Sequence, residues 1–260
     1  MIKYFIFVLV FLITLFSSSF SKELTIYSED SVFPLLKTLT TNFTKQTGIP
    51  IKLQLTESVS TLKFQVLKSD LIFTEDAYLL KRLHIPHKSI ALDPIVIVYV
   101  KNLHFTNSDW MTLLSKISYG YSDPNTDPLG YYTHFIFSLY NKINQTNYHC
   151  QTKYIRGETT SLFWLMKTGN LDAIFTFKSF AVQNHLKYFE LPKPYNLADP
   201  NYDYSIVSYK LKNGMIIPGH ISSFGVGIIN NTKTTQQFLN FLFNKSNEKY
   251  FTELGLIPLK

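Results

Sequence analysis

The sequence is poor in cysteine and glycine, and both shortages exclude classes of protein. Its single cysteine, Cys150, cannot form an intrachain disulfide or a four-cysteine zinc site, so the 260-residue chain is not a disulfide scaffold. The 10 glycines argue against a Gly-rich phosphate loop, and no P-loop, H-E-x-x-H or G-x-S-x-G motif occurs. Hydrophobic residues form 45% of the chain, which excludes a disordered protein.

No apolar run is long enough for a comfortable membrane span, which takes roughly 20 residues. The longest run covers residues 4–16, follows the positive Lys3 and precedes a group of serines. This order predicts a secretory signal peptide over residues 1–21, cleaved after Ser21, with an uncleaved anchor as the alternative. A secreted chain with one cysteine indicates the bacterial periplasm, because extracellular eukaryotic domains of this size usually carry disulfides.

The predicted elements follow the order of an α/β fold. Apolar spacing predicts alternating strands and helices at the start of the mature chain, a pattern that favours a parallel sheet covered by helices. The predicted strands are 24–27, 49–55, 70–74, 95–100, 117–121, 171–177 and 224–229. The predicted helices are 32–47, 59–67, 109–114, 131–143, 162–167 and 234–251.

The mature chain has no repeat or flexible linker, so two lobes joined by strands are expected rather than separate domains. Lobe I is predicted to contain residues 22–98 plus 217–260, and lobe II residues 99–216. In such sheets, ligands bind beyond the carboxyl ends of the strands, where helix N-termini point.

Four predicted helix starts carry hydroxyl groups at this edge. Ser31 and Ser58 follow the first two strands, and the segments 123–130 and 157–160 precede helices farther along the chain. Backbone N–H groups and hydroxyls at helix starts form an anion site without any lysine. Serine and threonine also cap ordinary helices, so the hydroxyls have a purely structural interpretation as well.

Several long stretches of the chain resemble the tungstate/molybdate-binding family of periplasmic binding proteins. The resemblance covers nearly the whole mature chain. It implies an α/β, two-lobed type II periplasmic binding protein fold, in which each lobe is a mixed, mostly parallel sheet flanked by helices and the ligand cleft lies between the lobes. The similar stretches are 24–31, 43–49, 119–131 (YGYSDPNTDPLGY), 156–159 (RGET), 168–172, 178–183, 186–192, 195–197 and 251–255.

By position, the resemblance assigns oxyanion-binding roles to four residues. Ser31 and Ser58 correspond to the two serines whose hydroxyls hold the oxyanion. Leu129 corresponds to a turn residue that offers its N–H group, and Thr159 to the helix start in the other lobe. No cofactor is implied.

Archaeal members of that family add two carboxylates that complete an octahedral coordination of the oxyanion's metal. Asp127 matches the first of these, and it is the one residue with an expected metal contact. Thr176 stands where the second carboxylate is expected, and Phe177 stands where a tyrosine follows it. These two departures leave the ligand-binding set incomplete.

Acidic residues lie near the predicted anion site. Asp30 and Glu57 replace the glycines that usually precede the two serines, and Glu29, Glu75 and Asp76 lie in the same loops. One like charge at 4 Å costs about 4 kcal/mol at an effective dielectric near 20. These acids either point away from the cleft, as solvated helix-start residues, or indicate a changed ligand.

The resemblance therefore implies a monomeric periplasmic receptor that binds an oxyanion, tungstate or molybdate first, and delivers it to an ABC permease in the inner membrane. Two alternatives stay open: the same fold with a metal cation or a small organic molecule as ligand, and a secreted enzyme using Cys150 or an Asp/His pair. The net charge of +7 is spread along the chain, so no nucleic-acid partner is expected.

Overall fold

The computed structural model describes residues 23–29, 31–55, 68–100, 102–149 and 151–259. Within these ranges, every helix is too short or too polar to cross a bilayer. The predicted signal peptide and the predicted helix at 59–67 lie outside the described residues. The same holds for Asp30, Glu57, Ser58 and Cys150.

Strands and helices alternate along most of the described chain. The strands are β1 (Leu24–Ser28), β2 (Ile51–Leu55), β3 (Leu71–Thr74), β4 (His87–Leu92), β5 (Ile95–Tyr99), β6 (Tyr119–Ser122), β7 (Tyr154–Arg156), β8 (Ala173–Phe177), β9 (Tyr188–Glu190), β10 (Ser208–Lys210), β11 (Ile216–Pro218), β12 (Ser223–Ile228) and β13 (Ile257–Pro258). The helices are α1 (Phe33–Thr47), α2 (Ala77–Arg82), α3 (Trp110–Leu114), α4 (Pro128–Asn144), α5 (Thr159–Lys167), α6 (Lys178–Gln183), α7 (Lys233–Leu242) and α8 (Glu248–Thr252).

Both ends of the chain build the first sheet, whose strand order is β13-β4-β12-β3-β1-β2. Strand β1 pairs in parallel with β2 and β3, whereas β12 runs antiparallel to β3 and β4. Helix α1 buries Leu36, Leu39 and Phe43 in the core of this lobe and ends at Gly48, whose φ of 72° is left-handed. We call this sheet and its helices α1, α2, α7 and α8 lobe I.

A continuous stretch of chain builds the second sheet, in the order β7-β6-β8-β5-β9. Strand β6 is parallel to β7 and β8, and β5 is antiparallel to β8 and β9. One face packs on the aromatic helix α4, with Tyr132 and Phe135 fully buried, and the other face packs on α5 through Leu162. We call this sheet, helices α3 to α6 and the β10–β11 hairpin lobe II.

The two-lobed α/β fold is confirmed, and two details differ from the predictions. The predicted helix at 234–251 is wrong, because α7 ends at Leu242 and a 3-10 turn separates it from α8. The Asn244 side chain accepts a hydrogen bond from the Ser246 N–H at 2.9 Å and so favours the turn over a continuous helix. Strand β5 belongs to the second sheet, which therefore begins at Ile95 rather than at residue 99.

The chain passes between the lobes at two segments that lie side by side. The first contains Asp93, and the second contains Ser222 just before β12. The Asp93 N–H donates to the Ser222 carbonyl at 3.2 Å, and the Ser222 hydroxyl donates to the Asp93 carbonyl at 2.7 Å. Both residues are fully buried, so the paired crossovers form one joint between the lobes.

Helix α4 starts in a tightly folded turn. The Asp127 side chain accepts a hydrogen bond from the Leu129 N–H at 2.8 Å, and Pro128 occupies the first turn, which suits its fixed φ. Gly130 lies against the preceding loop so closely that an added Cβ would stand 2.3 Å from the Pro124 nitrogen and 2.4 Å from the Ser122 carbonyl oxygen. Only glycine fits at this position.

Gly130→Ala tests this contact. Because the Cβ would meet backbone atoms that cannot rotate away, we expect a loss of roughly 3 kcal/mol in the free energy of unfolding, measured by urea denaturation. Gly157→Ala is the matched control, since its Cβ meets nothing closer than Thr126 Oγ1 at 4.0 Å. Equal stability of the two variants would contradict the proposed close approach.

Candidate functional site

A small cavity lies between the lobes, with a volume of about 40 Å³. Pockets for organic ligands usually measure roughly 300–1,000 Å³, so this cavity fits a few water molecules or one small ion. Residues that follow β1 and β3 line it from lobe I, and residues from α4, α5, β8 and α6 line it from lobe II. They are Ser31, Glu75, Asp127, Glu158, Thr159, Thr176, Phe177 and Phe180.

The fold brings helix starts to this cavity. Ser31 lies just before α1, Asp127 caps α4, and Thr159 is the first residue of α5. All three follow the carboxyl ends of parallel strands, so the first turns of the helices converge on the cavity from both lobes. Each helix N-terminus carries backbone N–H groups and a partial positive charge that attract an anion.

Two hydroxyls at the cavity have no hydrogen-bond partner among the described residues. They are Ser31 Oγ and Thr176 Oγ1, and their side chains belong to residues 9% and 0% exposed. A buried hydroxyl without a partner costs about 1–3 kcal/mol, and such groups are uncommon in native proteins. Their position at one cavity, on opposite lobes, indicates that a ligand completes their hydrogen bonding.

Carboxylates also line the cavity. Glu75 is buried, Asp127 is half-buried and Glu158 is exposed. Behind them, Glu29 accepts hydrogen bonds from the Glu75 N–H at 2.6 Å and the Thr74 hydroxyl at 3.0 Å. Burial raises the pKa of Glu29 to about 7, and the nearby charge of Asp127 adds to the rise. Part of the Glu29 population is therefore neutral near pH 7, which lowers the negative charge around the cavity.

The structure brings together five of the seven predicted site residues. Leu129 does not line the cavity, and its N–H donates to Asp127. Ser58 lies outside the described residues. The five that meet at the cavity are Ser31, Asp127, Thr159, Thr176 and Phe177.

Three cavity residues, Glu75, Glu158 and Phe180, were not among the seven predicted site residues, although Glu75 was named among the acids near the site. Glu158 immediately precedes Thr159 at the start of α5, so its sequence position was a usable signal. Phe180 lies in the first turn of α6, one turn after Phe177, and no pattern in the sequence distinguishes it from a core residue.

A larger cavity of about 470 Å³ also has Asp127 in its wall. Its other walls are mainly apolar side chains from α2, the loop before α4 and the β10–β11 hairpin, among them Leu79, Pro128 and Met215. The two cavity-lining hydroxyls without partners both face the smaller cavity. That cavity is therefore the candidate ligand site.

A small polar cavity between two α/β lobes, at the carboxyl ends of their strands, defines a two-lobed binding protein of the periplasmic type. The family model described as bacterial extracellular solute-binding protein matches residues 24–256. The chain therefore belongs to the bacterial extracellular solute-binding protein family.

Individual relatives agree with this assignment. An uncharacterized solute-binding protein of Petrotoga mobilis is 33% identical over 52% of this chain and 48% of its own length. The molybdate/tungstate-binding protein WtpA of Pyrococcus abyssi is 28% identical over 72% of this chain and 67% of its own length. The periplasmic molybdate-binding protein of Azotobacter vinelandii has the same fold, with a TM-score of 0.62 at 13% identity over 91% of this chain and all of that chain (100%).

Thr176→Val tests whether the buried hydroxyl serves the fold. The change replaces a hydroxyl without a partner by a methyl group, so we expect the ligand-free protein to gain about 1 kcal/mol in unfolding free energy. Thr235→Val is the control, because Thr235 is equally buried and donates to the Asn230 carbonyl at 2.7 Å. It should lose about 1 kcal/mol in urea denaturation. Similar losses in both variants would show that Thr176 has a structural partner.

Glu29→Gln tests the protonation of the acid behind the cavity. The folded-state pKa of Glu29 lies above its ordinary value of 4.5, so its stabilising effect is complete below pH 4.5 and is lost as the pH rises through about 7. In the wild type, this group should lower the unfolding free energy by roughly 3 kcal/mol as the pH rises through this range, and Glu29→Gln should lack that decrease. Glu253→Gln, at an exposed glutamate, should keep the wild-type profile. An unchanged profile in Glu29→Gln would contradict the shift.

Proposed function

We propose that this protein is a periplasmic receptor that binds a tetrahedral oxyanion, tungstate or molybdate, between its lobes for an ABC importer. The observation that carries the proposal is the pair of buried hydroxyls, Ser31 Oγ and Thr176 Oγ1, facing one ion-sized cavity from opposite lobes. An oxyanion presents acceptor oxygens in several directions. It accepts from both hydroxyls and from the N–H groups at the starts of α1 and α5 at once.

The oxyanion hypothesis has to accommodate the carboxylates around the cavity. Glu158 is exposed to water, which screens its charge, and Glu29 is partly neutral near pH 7. Asp127 occupies the position that the family resemblance assigns to coordination of the oxyanion's metal. In that role a carboxylate is a ligand of the metal centre instead of a repelling charge. The named relatives WtpA and the Azotobacter protein support the same ligand class.

A receptor of this kind works by closing on its ligand and docking on a membrane permease. The family assignment is to extracellular solute-binding proteins, and the predicted signal peptide at 1–21 provides the export route. We propose cleavage after Ser21, a monomer in the periplasm, and an ABC permease of the inner membrane as the partner. We propose a receptor and not an enzyme, because the family assignment is to solute-binding proteins and the described cavity residues are groups suited to holding an ion.

A cation is the second candidate ligand, because three carboxylates line the cavity. Among the described residues, however, no group of three or more His, Cys, Asp or Glu side chains is arranged to hold a metal ion. The two hydroxyls are also donors that suit an anion better than a cation. The oxyanion is therefore the preferred ligand.

Calorimetric titration with tungstate, molybdate, sulfate, phosphate, calcium and zinc tests the proposal. We expect tungstate or molybdate to bind, and Ser31→Ala to weaken that binding by about 10-fold or more, because a hydrogen bond to a charged group contributes about 1.5–3 kcal/mol. Ser58→Ala should also weaken it. Ser115→Ala is the control, since this exposed hydroxyl donates to the Thr112 carbonyl on helix α3.

The titration separates the candidates clearly. Silence from all four oxyanions at tens of micromolar would overturn the proposed ligand class. Binding of calcium or zinc alone would favour the cation instead. Binding of tungstate with equal affinity by wild type and Ser31→Ala would place the ligand somewhere other than this cavity.

A further inference from the structure

Asp76 is a fully buried carboxylate that receives hydrogen bonds from three parts of the chain. It caps α2 in lobe I, where it accepts from the Tyr78 N–H at 2.8 Å. The hydroxyl of Tyr131, in the first turn of α4 in lobe II, donates to its second oxygen. His220 Nε2 lies 3.1 Å from both oxygens.

His220 lies on the crossover segment between β11 and β12. Its Nδ1 lies 2.8 Å from the Pro218 carbonyl oxygen, so Nδ1 carries a proton and donates to it. When the ring is protonated, Nε2 is a second donor, and it faces Asp76. Burial lowers the pKa of His220, but the charge of Asp76 and the hydrogen bonds to Asp76 and the Pro218 carbonyl together outweigh this effect, and the net shift is upward. Burial likewise raises the pKa of Asp76, and the charge of His220 and its hydrogen bonds bring it below its ordinary value.

Aromatic rings enclose this group of polar atoms. The Tyr78 ring stacks on His220 with centroids 4.3 Å apart, and Tyr132 and Phe135 present ring edges to it at 5.3 and 5.7 Å. Asp76 is fully buried in this arrangement, so its oxygens depend on Tyr78, Tyr131 and His220 for hydrogen bonds. Separation of the lobes would break the Tyr131–Asp76 bond and admit water.

We propose that Asp76, Tyr131 and His220 form an interlobe clasp and act as positioning residues for the ligand cavity. The clasp holds α4, whose N-cap Asp127 lines that cavity, against the lobe I residues that follow β3. Glu75, the neighbour of Asp76, lines the same cavity, so the clasp joins the two walls that carry Glu75 and Asp127. This inference rests on the proposed function.

The clasp sets affinity without touching the ligand. The Tyr131–Asp76 hydrogen bond exists only when the lobes are together, so its free energy favours the closed state over the open state. A ligand that binds the closed state binds more tightly as a result, because its apparent affinity rises with the fraction of protein that is closed. Loss of the clasp is therefore expected to accelerate ligand release, with little effect on the first encounter.

Tyr131→Phe is the primary test, and Tyr195→Phe is its matched control in lobe II. The Tyr195 hydroxyl accepts a hydrogen bond from the Asn144 side chain at 2.9 Å, so this variant removes a tyrosine hydroxyl whose partner lies in the same lobe. Stopped-flow tryptophan fluorescence with tungstate should show a dissociation rate about 10-fold higher in Tyr131→Phe and an association rate close to wild type. Tyr195→Phe should retain both wild-type rates.

A second pair of variants covers the histidine. His220→Gln keeps a donor for Asp76, whereas His220→Ala removes it, so Gln should retain most of the wild-type residence time and Ala should not. A role in folding alone predicts equal dissociation rates for every variant that folds. That result would overturn the clasp.

Small-angle X-ray scattering tests the clasp independently of any ligand. Without tungstate, we expect Tyr131→Phe to have a larger radius of gyration than wild type and Tyr195→Phe, because its lobes separate more often. If wild type binds no oxyanion and this difference persists, the proposed ligand is wrong and the clasp stands. If tungstate binds wild type, and Tyr131→Phe matches wild type in both release rate and radius of gyration, the clasp is wrong.

Discussion

The joint between the lobes depends on one buried carboxylate, Asp93, at the first crossing of the chain. It accepts hydrogen bonds from the Ser179 hydroxyl at 2.5 Å and the Ser179 N–H at 3.1 Å, which fix the first turn of α6 in lobe II. Its backbone is paired with Ser222 on the second crossing. Burial raises the pKa of Asp93 to about 7, so part of the Asp93 population is protonated near neutral pH. The relative position of the two sheets, and hence of every cavity residue, follows from this joint.

The candidate site contains buried polar groups that have no hydrogen-bond partner among the described residues. Helix starts from both lobes supply donors, and two of the hydroxyls find no acceptor among the described residues. Most buried polar groups elsewhere in a folded protein are paired, so these two hydroxyls support the proposed ligand position more strongly than cavity size does. Two features lower the negative charge around the cavity: Glu158 is exposed to water, and Glu29 is partly protonated near pH 7.

Local sequence patterns predict what depends on neighbouring residues, and they fail where distant segments meet. Apolar spacing located α1 and β5, and the positions after strand ends located Ser31 and Thr159. The break after α7 was missed because the side-chain bonds of Asn244 compete with a continuous apolar helix face. The contact of Asp76 with His220 joins residues 144 positions apart, so neither periodicity nor motif spacing predicts it. The exact division of the lobes was missed for a related reason, since β5 is apolar enough for either sheet.

The order of strands in the two sheets has a consequence for synthesis and export. The second sheet uses β5 to β9, a continuous segment, so it can form as soon as that segment has emerged from a ribosome or a translocon. The first sheet needs β12 between β3 and β4, and β12 comes from the last part of the chain. The N-terminal strands therefore cannot complete the first sheet until β12 has emerged, by which time the strands of the second sheet are already available to pair. Vectorial emergence makes lobe II the first to mature, although lobe I begins the sequence.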